Sequence, residues 1–129
     1  MSPTYARVLA VDDDPILLQV LTAYFAKHGM TTLTAHNGAA AIAKLGDHSD
    51  IDLIVTDLHM PDSDGIEFLD RLKEADCKTP IIVVSSADMT MILSAEVLAK
   101  AYQLNFIGAL TKPVKFHELG QLLGLSDAN

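Results

Sequence analysis

Four short apolar runs in this sequence are each followed at once by residues that can do polar chemistry. Asp12 and Asp13 follow one run, and Asp57, Ser85 and Lys112 stand at or just after the ends of three others. If these runs are parallel strands, their carboxyl ends share one edge of a sheet, which is where open parallel sheets bind ligands. Carboxylates gathered there repel one another and raise each other's pKa, so the cluster calls for a compensating cation.

These residue types fit phosphoryl chemistry assisted by a divalent ion. Mg²⁺ prefers carboxylate and carbonyl oxygens and commonly bridges protein carboxylates to a phosphoryl group. Lys112 would add a second positive charge, and Ser85 a hydroxyl donor, for the phosphoryl oxygens. Asp57 would be the nucleophile that forms an acyl phosphate by in-line transfer. We expect Asp13 and Asp57 to hold Mg²⁺, with Asp12 orienting water around the ion.

Each of these residues also has an ordinary structural explanation. Asp14 before Pro15 is explained as a helix N-cap, and neighbouring acids are favoured there by the helix dipole. The polar residues at the other strand ends, taken singly, are typical of turns and loops. Their coincidence at one edge of the sheet favours the chemical interpretation.

Apolar runs alternate with segments of helical periodicity along the whole chain, which predicts an α/β fold with a parallel sheet covered on both faces. Strands are expected at residues 7–11, 32–35, 51–56, 81–84 and 106–110. Helices are expected to begin at Pro15 and near residues 39, 65, 90 and 115. The apolar stripe of the first helix is predicted to comprise Leu17, Val20, Leu21, Tyr24 and Phe25, with Gly29 ending the helix.

Length and composition predict one cytoplasmic domain over residues 1–129, with a core from about 5 to 125. Seventeen acidic against nine basic side chains give a net charge of -8, which disfavours direct binding to nucleic acid. No apolar run is long enough for membrane insertion, and no secretion signal is visible. Cys77 has no partner cysteine, and the five histidines lack the spacing of zinc ligands.

Three segments resemble the signature blocks of receiver domains of two-component response regulators. They are VLAVDDDP at 8–15, TDLHMPDSDG at 56–65 and TKP at 111–113, in order and with Ser85 between the last two. The resemblance implies a flavodoxin-like, doubly wound sandwich with a five-stranded parallel sheet and five helices. It implies Asp57 as phosphoacceptor, surrounded by Asp12, Asp13, the backbone carbonyl of His59 as a further metal ligand, Ser85 and Lys112.

The same resemblance implies a phosphorylation-operated signalling switch. Such a domain takes its phosphoryl group from a sensor histidine kinase or a histidine phosphotransfer protein, with Mg²⁺ as cofactor. It relays its state to an output domain or a downstream protein. It is not an enzyme acting on a separate substrate, since it catalyses only its own phosphorylation and dephosphorylation.

The last strand departs from the receiver pattern. Receiver domains usually carry an aromatic residue three places before the lysine, and this chain has Ala109 there. Residues 104–110 resemble receivers fused to cyclic-di-GMP phosphodiesterase domains. We expect Ser85 to move toward a bound phosphoryl group and to bias the helix at 90–102. Tyr102 and Phe106 are the nearest aromatic residues, and both are expected in the core.

Two other classes of protein share parts of this pattern. Phosphohydrolases of the haloacid dehalogenase type also use a strand-end aspartate, but they need a second aspartate two residues later, where this chain has His59. A chain of 129 residues also leaves no room for their substrate cap. Flavin or nucleotide binders open the first helix with a glycine-rich loop, and residues 12–14 here are carboxylates that repel phosphate.

Overall fold

The computed structural model describes residues 5–58, 65–86 and 89–125. Strands and helices alternate strictly in this chain, as the apolar runs predict. The elements are β1 Arg7–Val11, α1 Pro15–Lys27, β2 Thr31–Ala35, α2 Gly38–Asp47, β3 Leu53–Asp57, α3 Gly65–Glu74, β4 Ile81–Ser85, α4 Met89–Ala101, β5 Phe106–Thr111 and α5 Phe116–Leu123. Five βα units are therefore confirmed, with strand ends within a residue or two of those expected.

All five strands pair in parallel, in the order β2-β1-β3-β4-β5. Buried side chains from α2, α3 and α4 form one core cluster with one face of the sheet. Those from α1 and α5 form a second cluster with the other face. The two layers of helices make the flavodoxin-like, doubly wound α/β sandwich. Within the described residues, every helix is too short or too polar to cross a bilayer.

The two central strands that carry polar ends are buried along their whole length. Every residue of β3 and β4 is buried, because helices cover both faces of a parallel sheet. The edge strand β5 is only half-buried and contains a bulge, since Ile81 pairs with Phe106 while Ile82 pairs with Gly108. The bulge leaves Ile107 as an extra residue on the edge strand.

Helix α1 begins as predicted, and four residues of its predicted stripe lie against the core: Leu21 and Phe25 are buried, and Leu17 and Tyr24 are partly buried. The Asp14 carboxylate accepts a hydrogen bond from the Ile16 backbone N–H, and Pro15 occupies the first turn. The side chains buried on α1 are Leu18, Leu21 and Phe25. The prediction that Val20 faces the core is wrong, because its side chain is 43% exposed. Leu18, which the predicted stripe leaves out, is buried; most positions of α1 are apolar, so periodicity alone does not locate the edge of the buried face.

Candidate functional site

Four parallel strands bring their polar ends to one edge of the sheet. Asp12 follows β1 directly, Asp57 ends β3, Ser85 ends β4 and Lys112 follows β5. Asp12 and Asp57 lie on neighbouring strands at the point where the strand order reverses, which is the ligand-binding position in doubly wound sheets. Asp12, Asp57 and Ser85 are all buried, with exposed fractions of 2%, 3% and 0%. The predicted convergence of these side chains is confirmed.

Lys112 is the cation that contacts the buried carboxylates. Its Nζ lies 2.8 Å from Asp12 Oδ2 and 3.2 Å from Asp57 Oδ2, so one ammonium group joins the ends of β1 and β3. The Lys112 backbone N–H donates a 3.0 Å hydrogen bond to the Ser85 carbonyl oxygen. This bond holds the end of β5 beside the end of β4. The chain thus supplies part of the compensating charge itself.

The two charged partners shift each other's titration. Burial raises the pKa of Asp12, and it does so more than the nearby charge of Asp57, while hydrogen bonds from Lys112 and from the Asp14 backbone N–H act in the opposite direction. Burial alone would lower the pKa of Lys112, but its contacts with Asp12 and Asp57 outweigh that effect and raise it. Lys112 is therefore kept as a cation beside the carboxylates.

Three aspartates form a cluster that fits a divalent cation. One carboxylate oxygen from each of Asp12, Asp13 and Asp57 lies within 4.8 Å of the others. Asp13 is exposed while its two partners are buried, so the cluster opens to solvent on one side. Hard oxygen ligands of this kind suit Mg²⁺, which also keeps several waters. The predicted carbonyl ligand of His59 lies outside the described residues.

Aromatic side chains near β5 lie away from the acidic edge. Ala109 packs against the core cluster shared with α4, where receiver domains usually place a ring. Tyr102 and Phe106 are partly buried and pack against that cluster, so their expected place in the core is confirmed in part. Phe106 pairs with Ile81 at the beginning of β4, the opposite end from Ser85. Neither ring therefore replaces the missing aromatic at the acidic edge.

The sequence did not predict two features of the site. The Asp14 backbone N–H donates a 2.9 Å hydrogen bond to Asp12 Oδ1, which orients the buried carboxylate from the first turn of α1. A groove of about 530 Å³ also runs beside Lys112 between α1 and the segment after β5, and Ile16 and Val20 line it. The groove could have been suspected from the sequence, because Ile16 is a large apolar residue only two positions after the N-cap Asp14.

The family comparison matches almost the whole described chain. The model for the response regulator receiver domain matches residues 8–123. The chain is 35% identical over 120 residues to the transcriptional regulatory protein TrcR of Mycobacterium tuberculosis, an alignment that covers 92% of this chain and 44% of that protein. It spans less than half the length of TrcR, and less than a third of the Escherichia coli regulator of RpoS, which is 30% identical over 109 residues.

Solved receiver structures share the fold. A response regulator receiver protein from Pseudomonas putida superimposes with a TM-score of 0.80 at 25% identity, covering 94% of this chain and 97% of that one. The Borrelia burgdorferi protein solved as a CheX-CheY-BeF3-Mg+2 complex gives a TM-score of 0.79 at 26% identity, covering 91% and 85%.

Receiver domains are signalling modules that bind Mg²⁺ at an acidic pocket and interact with histidine kinases, phosphotransfer proteins and output domains. The family match does not favour the phosphohydrolase alternative. The chain belongs to the response regulator receiver domain family and is a phosphorylation-operated switch.

Proposed function

We propose that Asp57 is the phosphoacceptor of this switch. The observation that carries the proposal is a buried carboxylate at a strand end, 3.2 Å from the Lys112 ammonium and within the three-aspartate cluster. A carboxylate in that position can act as a nucleophile, and the Lys112 ammonium would lie close to the incoming phosphoryl group. Ser85 ends the adjacent strand β4 at the same edge of the sheet.

In transfer from a histidine phosphodonor, one bond to phosphorus forms and one breaks. A carboxylate oxygen of Asp57 forms a bond to phosphorus, while the P–N bond to the donor ring breaks. The bonding pair stays on the ring nitrogen, and a ring protonated on its other nitrogen leaves as neutral imidazole. Lys112 neutralises charge on the phosphoryl oxygens, and the Ser85 hydroxyl donates a hydrogen bond to one of them. We propose that the domain catalyses only its own phosphorylation and dephosphorylation.

The contacts of Asp12 support different roles for the three aspartates. Asp12 Oδ2 contacts Lys112 and Oδ1 accepts from the Asp14 N–H, so both oxygens are already in use. We propose that Asp13 and Asp57 hold Mg²⁺ directly, together with the His59 carbonyl, and that Asp12 acts through water. When bound, the ion neutralises charge between the carboxylates and the phosphoryl group.

The groove beside Lys112 is the proposed docking place for the phosphodonor, a histidine kinase or phosphotransfer protein. Ile16 is 70% exposed and Val20 43% exposed, which is unusual for large apolar side chains so close to a charged site. An apolar partner surface seated there would deliver its histidine next to Asp57. Ile16→Ser should slow transfer from a phosphorylated donor protein about tenfold and leave labelling by acetyl phosphate unchanged. Leu93→Ser, on the opposite helical layer, is the control.

The output belongs to other segments or proteins. Because relatives such as TrcR extend well beyond the matched region, we propose that the phosphorylated state is relayed to an output domain or a downstream protein. The similarity of residues 104–110 to receivers joined to cyclic-di-GMP phosphodiesterases stays a prediction about that output. We also place the domain in the cytoplasm, where its kinase partners act.

Incubation with acetyl phosphate and Mg²⁺ tests the assignment. The wild-type chain should gain one phosphoryl group by intact mass, and Asp57→Asn should gain none. Asp47→Asn, an exposed position at the end of α2, is the matched control and should behave as wild type. A phosphoryl group on the Asp57→Asn chain would refute the proposed acceptor. Steady turnover of a phosphomonoester would instead support the hydrolase alternative.

A further inference from the structure

The side chain of Tyr102 connects the carboxyl end of α4 to α3. Tyr102 Oη donates a 3.1 Å hydrogen bond to Asp70 Oδ1, and this bond raises the pKa of the Tyr102 hydroxyl. The Lys73 ammonium lies 4.8 Å from the centre of the Tyr102 ring. Asp70 and Lys73 are three residues apart on α3, so they present a single face to the ring.

The backbone after α4 closes the same end. Gln103 has a φ of 60°, the left-handed conformation that ends many helices, and the Leu104 N–H donates a 2.9 Å hydrogen bond to the Ala99 carbonyl. The Leu104 side chain is buried in the core cluster. The Asn105 carbonyl then accepts a hydrogen bond from the Ile81 N–H at the beginning of β4. This end of α4 is thus tied to two other elements.

The described side chains of α4, at residues 92–101, contact the core through apolar groups. Among these residues, Ile92, Ala95 and Ala99 are buried, and they belong to the core cluster against which Ala109 packs. The Glu96 and Lys100 ion pair stays within the helix. Among described side chains at 92–101, no hydrogen bond or ion pair reaches another element. Small apolar contacts of this kind slide more readily than hydrogen bonds break.

We propose that Tyr102 is the pivot about which α4 tilts when Asp57 is phosphorylated. The amino end of α4 follows the strand that ends at Ser85, and about 20 Å of helix separates it from the fastened end. A pull on Ser85 therefore displaces the amino end most and Tyr102 least. Leu93 and Val97, which are 52% and 68% exposed, would carry the movement to the surface. The inference rests on the proposed phosphorylation of Asp57.

The pivot predicts a graded response along one helix. Amide exchange is measured with and without beryllofluoride and Mg²⁺, and ¹⁹F NMR of the bound mimic reports its occupancy independently. In the wild type, exchange at residues 92–97 should change by about threefold or more, and exchange at 102–105 by less than about twofold. Tyr102→Phe keeps the ring but removes the hydrogen bond, so the change should spread to 102–105.

Tyr24→Phe is the matched control, because it removes a tyrosine hydrogen bond, to the Phe116 carbonyl, on the other face of the sheet. It should reproduce the wild-type gradient. Bound mimic with an even change along α4, or a Tyr102→Phe chain that matches the wild type, would overturn the pivot and leave Asp57 as acceptor. Failure of the mimic to bind the wild type would overturn both proposals.

Discussion

The acidic edge and the α4–β5 region stand side by side but are built in different ways. At the edge, charged groups contact one another directly, and Lys112 joins Asp12 to Asp57 across two strands. Between β5 and α4 the packing is made of small apolar side chains, among them Ala95 and Ala109. Among the described residues, the first region carries the aspartates, serine and lysine of the receiver pattern, whereas the second has Ala109 in place of the usual aromatic residue.

This difference suggests that phosphoryl transfer and the movement of α4 depend on different residues. Phosphoryl transfer needs particular charges at particular distances, so few substitutions at the edge preserve it. A movement of α4 needs only a displaced end and a fixed end, and several kinds of side chain can supply those. Substitutions in the two regions should therefore have separable effects on phosphorylation and on conformation.

Substitution of Lys112 should have the largest effect, and it should act on the rate of phosphorylation. Lys112→Ala removes the cation from two buried carboxylates and from the incoming phosphoryl group, so the initial rate of labelling by acetyl phosphate should fall about 100- to 1000-fold. Lys115→Ala makes the same charge change at an exposed residue whose side chain forms no capping hydrogen bond. A Lys112→Ala rate within about threefold of that control would contradict the role of Lys112.

Ser85→Ala should have the next largest effect, on binding of the phosphoryl mimic. A hydrogen bond to a charged group is worth about 1.5 to 3 kcal/mol, so the affinity for beryllofluoride should fall about 10- to 100-fold. Ser86→Ala changes an exposed neighbour in the same way and should leave the affinity unaltered. Equal affinities for the two variants, measured by fluorine NMR titration, would remove Ser85 from the site.

Asp13→Asn should weaken Mg²⁺ binding about tenfold, because one of the two proposed direct carboxylate ligands becomes neutral. Asp14→Asn is the matched control, since asparagine also caps helices and the charge change is the same. Mg²⁺ titrations followed by amide NMR give both affinities. A larger loss in Asp14→Asn than in Asp13→Asn would reverse the proposed assignment.

Gly108→Ala should have the smallest effect. It should lower the stability of the β5 region without changing phosphorylation at the acidic edge. A Cβ at Gly108 would lie 2.7 Å from Leu122 Cδ2, so the leucine must move, at a cost of about 1 kcal/mol in unfolding free energy. Leu122→Ala in the same chain should remove most of that added cost. Urea unfolding measures both, and labelling by acetyl phosphate should stay unchanged. A loss of labelling would show that β5 packing and the chemistry are coupled.

Much of the fold and site follows from the sequence for a physical reason. Strands buried on both faces must be continuous apolar runs, as in β3 and β4, so their ends can be located to within two residues. Parallel pairing then requires Asp57 and Ser85 to meet at one edge. The acidic cluster could therefore be predicted before any contact was known.

Other features depend on side-chain geometry that no local pattern contains. The reach of Lys112 over two strands depends on how the strand ends are staggered, and the Asp70–Tyr102 contact depends on how α3 packs on α4. The exposure of Val20 depends on which apolar positions of α1 meet the sheet. These are tertiary choices, and each one overrides a local preference.

Reductive trapping tests the central claim most directly. The wild-type chain is incubated with acetyl phosphate and Mg²⁺ and then treated with borohydride, which converts an aspartyl phosphate to homoserine. Peptide mass spectrometry should find homoserine at position 57, in a yield that falls sharply when Mg²⁺ is chelated first. Homoserine at position 12 or 13, with aspartate intact at 57, would contradict the assignment of Asp57 as the phosphoacceptor.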